Sequence, residues 1–136
     1  MAGELAFDND AWHAAMPFGK TLGARLVGGT ADEVRARLGW APELCTAGGV
    51  LHGGAIMGLA DGVAGTCAFL NLPEGASGTA TISSSTSFLR AVREGHIEAV
   101  ARPLRVGRSV VVVETDVLDA GGDLVARVVQ SQAVLR

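Results

Sequence analysis

Hydrophobic positions along the chain fall into two patterns. Between residues 50 and 70 the residues are apolar or small nearly throughout, behind a His52-Gly53-Gly54 opening, with Thr66 and Asp61 as polar exceptions. A run of this length predicts one buried helix. Elsewhere the period is two: across 31–40, Val34, Ala36, Leu38 and Trp40 alternate with Glu33, Arg35, Arg37 and Gly39, the mark of a half-buried strand. A companion strand over 21–27 joins it through Gly28-Gly29-Thr30, the turn of a hairpin. Four further strand-like segments follow at 79–92, 96–106, 109–118 and 124–135. Their separators, Arg93-Glu94-Gly95, Gly107-Arg108 and Ala120-Gly121-Gly122-Asp123, suit tight antiparallel connections. Pro103 confines part of the 96–106 segment to an edge or a bulge. Near the N-terminus, residues 8–16 open with capping and acidic side chains before an Ala-rich turn, which predicts a short helix stopped by Pro17.

The predicted order is a helix, two strands, one long helix and four strands, with no repeat or linker. A single apolar helix among antiparallel strands buries itself only if the sheet curls around it, because a flat sheet leaves most of the helix wet. The fold class is α+β, an antiparallel sheet wrapped around one long central helix. Residues 1–136 read as one domain, with 1–17 as an N-terminal helical segment covering one end of the core.

Composition narrows the class. The 136 residues are 49% hydrophobic and 18% charged, enough for a packed core. A formal net charge of -3 and the lack of a Lys/Arg run argue against nucleic acid or an anionic membrane as partner. The first residues, Met1-Ala2-Gly3-Glu4-Leu5, lack the basic region and apolar core of a signal peptide, so the expected location is cytoplasmic. The apolar stretch at 55–70 is interrupted by Asp61 and falls short of the ~20 residues that span a bilayer. Cys45 and Cys67 form no paired motif and read as small apolar fillers. His13, His52 and His96 stand apart from any ligand spacing, so neither a metal nor another cofactor is called for.

The chemistry gathers in the central helix. A carboxylate in so apolar a helix is expensive to bury, and perturbed carboxylates concentrate at working sites, which makes Asp61 the expected active group. Gly58 and Gly65 stand at i-3 and i+4 from Asp61 on one helix face. Interior glycines weaken a helix by about 1 kcal/mol each relative to Ala, so a bare surface is needed there, either for close packing or for a substrate slot. At the helix start, amides without partners and the positive end of the helix dipole suit a polarised carbonyl, with Gly53 allowing close approach and Gly54 beside it. Asp61 lies eight residues beyond Gly53, about 12 Å along the axis. That is too far for both to act on one carbonyl, so the site is expected to be shared by two chains whose helices pack antiparallel.

Gly49-Val50-Leu51-His52-Gly53-Gly54, then Leu59-Ala60-Asp61 and later Ser87-Phe88-Leu89-Arg90-Ala91 resemble the hot-dog-fold acyl-CoA thioesterases of the PaaI type, in element order as well as motif from about Phe18 onward. The resemblance implies dimers, often tetramers. It implies that Asp61 serves as nucleophile or as general base on water, that the Gly53 amide polarises the thioester carbonyl, and that His52 supports that loop. Thr81 aligns with a hydroxyl residue near the catalytic carboxylate. Six residues before the His, where relatives carry Asn or Gln, this chain has Thr46, which can still donate a hydrogen bond but reaches less far. Arg105 and Arg108 lie at a turn that in relatives is near the nucleotide end of coenzyme A, and Arg90 precedes them; phosphates need such donors, although scattered surface arginines are the commoner explanation.

The expected activity is hydrolysis of an aryl- or acyl-CoA thioester to free acid and coenzyme A. Gly-x-Ser-x-Gly is absent, which disfavours a serine-hydrolase triad, and no Lys follows Gly53 to make a nucleotide-binding loop. Two rival readings are a non-catalytic acyl-CoA binder, prompted by Thr46, and an enoyl-CoA hydratase, whose motif this chain lacks.

Overall fold

A computed structural model describes residues 8–136. Helix α1 (Asn9–Ala15) is capped by Asp8, whose carboxylate accepts from the Ala11 amide at 2.8 Å. Pro17 stops α1 as expected, yet it does not end the helical segment. It opens a second short helix, α2 (Pro17–Leu22), because a proline at the first helical position gives up an amide that would have had no partner. The hairpin follows with β1 (Arg25–Gly29) and β2 (Val34–Gly39), so Thr21 and Leu22 belong to α2 and the glycines close β1. Val34, Ala36 and Leu38 are buried as the alternation predicts. Two single-turn 3-10 helices, Pro42–Leu44 and Ala47–Gly49, carry the chain to the central helix α3 (Gly53–Leu70).

Strands β3 (Gly78–Phe88), β4 (His96–Val106), β5 (Val110–Asp119) and β6 (Leu124–Leu135) complete one six-stranded sheet in the order β1-β2-β4-β5-β6-β3, every neighbouring pair antiparallel. β3 stops at Phe88, four residues short of the expected strand, and Arg90 lies in the bend beyond it. Pro103 sits just past the last residue that β2 pairs, on the free side of β4, next to a register shift. Both expectations for it hold together, since a proline leaves no ladder bond wanting there.

The sheet wraps α3. Leu59, Ala60, Val63, Ala64 and Cys67 on the helix meet Val111, Val113, Val117 and Val128 from the strands in one buried cluster. α3 is long and apolar enough to cross a bilayer by length and composition, yet its buried half is packed inside this sheet. Cys67 is fully buried and burial pushes its thiol up to about 11, in keeping with a filler. On the outer face of β2 and β4, Glu33 and Glu98 pair with Arg35, Arg37 and Arg102. The Arg35 hydrogen bond holds Glu33 below the usual carboxylate range, so its contribution to stability is present at neutral pH and is lost as the pH falls through that lowered range.

The core contains one misfit. Thr115 on β5 is fully buried between inward-facing valines, and its hydroxyl has no partner among the described residues. Thr115→Val keeps the shape and removes the orphaned group, so the urea midpoint is expected to rise by the equivalent of about 1–2 kcal/mol. A lower midpoint would mean that the hydroxyl is satisfied in solution.

Candidate active site

The start of α3 is shaped by its own cap. His52 is extended at the N-cap position, and its Nδ1 accepts the Gly54 amide at 2.7 Å. The next amides, Ala55 and Ile56, turn to the His52 carbonyl. Gly54 is thereby used within the loop, and Gly53 is left with an N–H that has no acceptor among the described residues, at the positive end of an 18-residue helix. The Phe88 ring lies on the bare side of Gly53, where an added Cβ would come within 3.0 Å of it. Thr46 is exposed in the tight loop closed by the Cys45 to Leu51 bridge. Its amide donates to the Val50 carbonyl, and its side chain makes no hydrogen bond among the described residues.

Asp61 does not lie buried in the chain, contrary to expectation. Leu59, Ala60 and Val63 take the sheet-facing side of α3, while Asp61 occupies an exposed face between α1 and the edge strand β3. Its Oδ1 accepts from Thr81 Oγ1 at 3.2 Å and from Gln130 Nε2 at 2.9 Å. Thr81 is thus brought to the carboxylate as the resemblance implied. Gln130 was missed. The signal was present in β6, where the inward positions run Ala126, Val128, Gln130, Gln132, so that two glutamines stand on an otherwise apolar face.

Thr81 reaches Asp61 because β3 changes phase. Thr79 and Thr81 pair with Val134 and Gln132, Ser83 then pairs with Ser131, and Ile82 is the extra residue of a bulge. Before the bulge the odd-numbered residues face α3. After it, the even-numbered ones do: Ser84 meets Gln130, and Phe88 meets Gly53. Bulges of this kind re-aim side chains beside active sites.

The two glycines flanking Asp61 differ. Gly58 is filled, with Phe18 and Leu22 of α2 within 3.0 Å of where its Cβ would be, so the expectation of a slot fails there and close packing replaces it. Gly65 faces open space and lines a cavity of about 490 Å³ that also touches Asp61 and Thr81. Trp12, Met16, Phe69 and Ala80 supply its apolar walls. A second cavity, about 350 Å³, lies beside His52 and Gly54 at the helix start. Among the arginines, Arg90 is engaged by Asp119 and Asp123 at 3.4 and 3.6 Å, which weakens it as a phosphate ligand. Arg105 and Arg108 form no ion pair among the described residues. The Arg108 carbonyl accepts from Arg136, so three cationic side chains gather where β4 turns into β5, close to the end of β3 that rims the larger cavity.

A helix inside a curled antiparallel sheet, with an acid at mid-helix and a free amide at its start, defines the hot-dog class. Residues 48–126 match the family described as the thioesterase superfamily, and the chain belongs to that superfamily as a thioester hydrolase. It is 30% identical over 98 residues to the Mycobacterium tuberculosis protein named "Putative esterase Rv1847", covering 71% of this chain and 70% of that one. The structure of that protein superposes with a TM-score of 0.85 over 89% of this chain and 98% of the other, at 27% identity. Two solved structures share the fold at lower identity. Thioesterase HI1161 from Haemophilus influenzae has a TM-score of 0.88 at 23% identity, over 100% of this chain and 96% of that one. The Escherichia coli PaaI protein from the phenylacetic acid degradation operon has 0.84 at 15%, over 95% and 91%.

Proposed function

We propose that the protein hydrolyses acyl-CoA thioesters with an apolar acyl group, in a site formed by two copies of the chain. The single observation that carries this reading is the cavity of about 490 Å³ whose apolar walls end at the Asp61 carboxylate. It suits an aryl or medium-length acyl group with the thioester carbon delivered to the acid.

The second copy is supported by symmetry within the chain itself. β3 is an 11-residue edge strand, exposed along nearly its whole length and unpaired on one side among the described residues, and proteins seldom leave such an edge open. One half of the site, Asp61 with Thr81, stands at mid-helix and toward the start of β3, and the other, Gly53 with Phe88, at the start of α3 and the end of β3. The midpoint of Gly53 and Asp61 is Met57, a large apolar residue exposed on α3, and the midpoint of Thr81 and Phe88 falls at Ser84 and Ser85, near the middle of β3. A two-fold axis through both midpoints pairs β3 with its mate and sets one protomer's Asp61 beside its partner's Gly53. Self-complementary contacts of this kind are what a two-fold dimer requires.

In that site the Gly53 amide holds the thioester oxygen as negative charge develops on it, while Asp61 adds to the carbonyl carbon or takes the proton of the water that does. The carbon–sulfur bond then breaks and the thiolate is protonated; where Asp61 has added, water next hydrolyses the acyl–Asp61 anhydride, and by either route acid and coenzyme A leave. The unpaired Arg105 and Arg108 are the expected contacts for the phosphates of coenzyme A.

The test is a panel of CoA thioesters from acetyl to palmitoyl, with benzoyl and phenylacetyl members, read as thiol release. Turnover is expected to peak at acyl groups that fill the cavity. Gly65→Phe, which blocks it, is expected to reduce kcat/KM for the best substrate by about 10-fold or more while affecting acetyl-CoA less. Failure of the wild type to release thiol from any member would overturn the reading.

A further inference from the structure

Gln130 and Gln132 are 2% and 1% exposed on the inner face of β6. Buried amides are tolerated only when hydrogen-bonded, and these two are joined to one another and to the active carboxylate. Thr79 Oγ1 donates to the Ala133 carbonyl at 2.9 Å, with Gln132 Oε1 farther off at 3.3 Å, and Gln132 Nε2 donates to Gln130 Oε1 at 2.6 Å and to Thr81 Oγ1 at 2.8 Å. Gln130 Nε2 donates to Asp61 Oδ1 at 2.9 Å and to Ser84 Oγ at 3.2 Å. The donors of Gln132, Gln130 and Thr81 run toward Asp61, and Gln130 gives its second N–H to Ser84. Because the Gln130 carbonyl is taken by Gln132, its NH₂ has to face the carboxylate; a flipped amide would set oxygen against oxygen. Both donors to Asp61 end on Oδ1, and Oδ2 accepts nothing among the described residues.

We propose that Gln130 and Gln132 are positioning residues that fix Asp61 through Oδ1 and thereby assign the reaction to Oδ2. The proposal rests on Asp61 being the active group. A chain of aligned amides polarises each successive bond, so the pair holds the carboxylate in one orientation. Few other charges compete. β3 has no charged residue, and among the described residues the cavities that Asp61 lines contain no second titratable side chain. On α1, His13 is bound to the Ala24 carbonyl and Asp8 caps the helix, leaving Asp10; Lys20 on α2 is exposed. Arg127, the one charged residue on β6, is held by Asp116 and Glu114. Across the proposed dimer the nearby titratable group is the partner's His52.

The experiment measures kcat and KM for wild type, Gln130→Met and Gln132→Met, which keep side-chain length and remove the amide. Gln130→Met is expected to lower kcat by about 10- to 100-fold with KM little changed, and Gln132→Met to act in the same direction but less. A folded Gln130→Met protein with wild-type kcat overturns the proposal. Wild-type protein labelled with ¹⁵N-glutamine gives a readout that needs no core variant: a side-chain amide signal is expected to move when Asp61 is replaced in Asp61→Asn. Absence of any such signal also overturns it. Wild-type turnover by Asp61→Asn would instead overturn the assignment of Asp61, and the amide signal would still decide whether Gln130 contacts that carboxylate.

Discussion

Asp61→Asn is expected to fold like the wild type and to lose about 10²- to 10⁴-fold in kcat, the range typical of removing a general base. The substitution is conservative for the structure. Asn can keep a carbonyl oxygen where Oδ1 accepts from Thr81 and Gln130, and place its NH₂ where Oδ2 stands free. What disappears is the basic, nucleophilic oxygen. The same variant tests the sharing of the site. Asp61→Asn and a Gly53→Pro variant, which deletes the free amide, are each expected to be inactive alone. Refolded together in equal amounts they should recover about one quarter of wild-type activity, because half the dimers are mixed and each mixed dimer has one intact site of two. No recovery on mixing, with dimers confirmed by sedimentation, would place both groups of a site in one chain and contradict the geometry proposed above.

The largest expected effect on stability comes from Trp12→Ala. Trp12 is 2% exposed, and its Nε1 donates to Thr66 Oγ1 at 2.9 Å, so it ties α1 to α3 across the bare surface of Gly62. Truncating a buried aromatic costs about 3–5 kcal/mol. Thr66 would still donate to the Gly62 carbonyl, so the loss is one of packing more than of an orphaned hydroxyl. A fall in melting temperature of about 10–20 °C is expected at fixed protein concentration. Since Trp12 also walls the larger cavity, the variant should broaden acyl preference in whatever fraction remains folded. A shift of only a degree or two would show that α1 contributes little to the core.

The sequence displays the parts of the fold whose periods are simple. Val34, Ala36 and Leu38 face inward because one strand with one wet face must alternate, and the helix around Asp61 is visible because nothing else explains so long an apolar run. His52, Gly53 and Asp61 are legible as a motif, and the twelve-ångström gap between the last two already asks for a second chain. Gln130 and Gln132 escaped attention for the opposite reason. Each is an ordinary strand residue by composition, and only the side of the sheet it faces makes it unusual. Gly58 was misjudged because helix spacing says which residues share a face, not what packs on it, and α2 was hidden by reading Pro17 as a stop. The burial of Asp61 was overestimated for a related reason: an apolar helix in a sheet still has one face that the sheet does not reach.

The extra residue at Ile82 gives β3 two reading frames. A regular strand offers α3 every second residue, all of one parity, so a single pattern would have to serve both halves of the site. The shift lets one half of the strand present hydroxyls to the acid and the other half present Ser84 and Phe88 toward Gln130 and the helix start, each set free to change without turning the other over. Replacing Ile82 alters a side chain that is mostly in solvent, and deleting it would join Thr81 directly to Ser83 with Thr81 still opposite Gln132 and Ser83 still opposite Ser131, so both halves would keep their faces and what would go is the local bend and extra twist that a bulge puts into β3 beside the carboxylate.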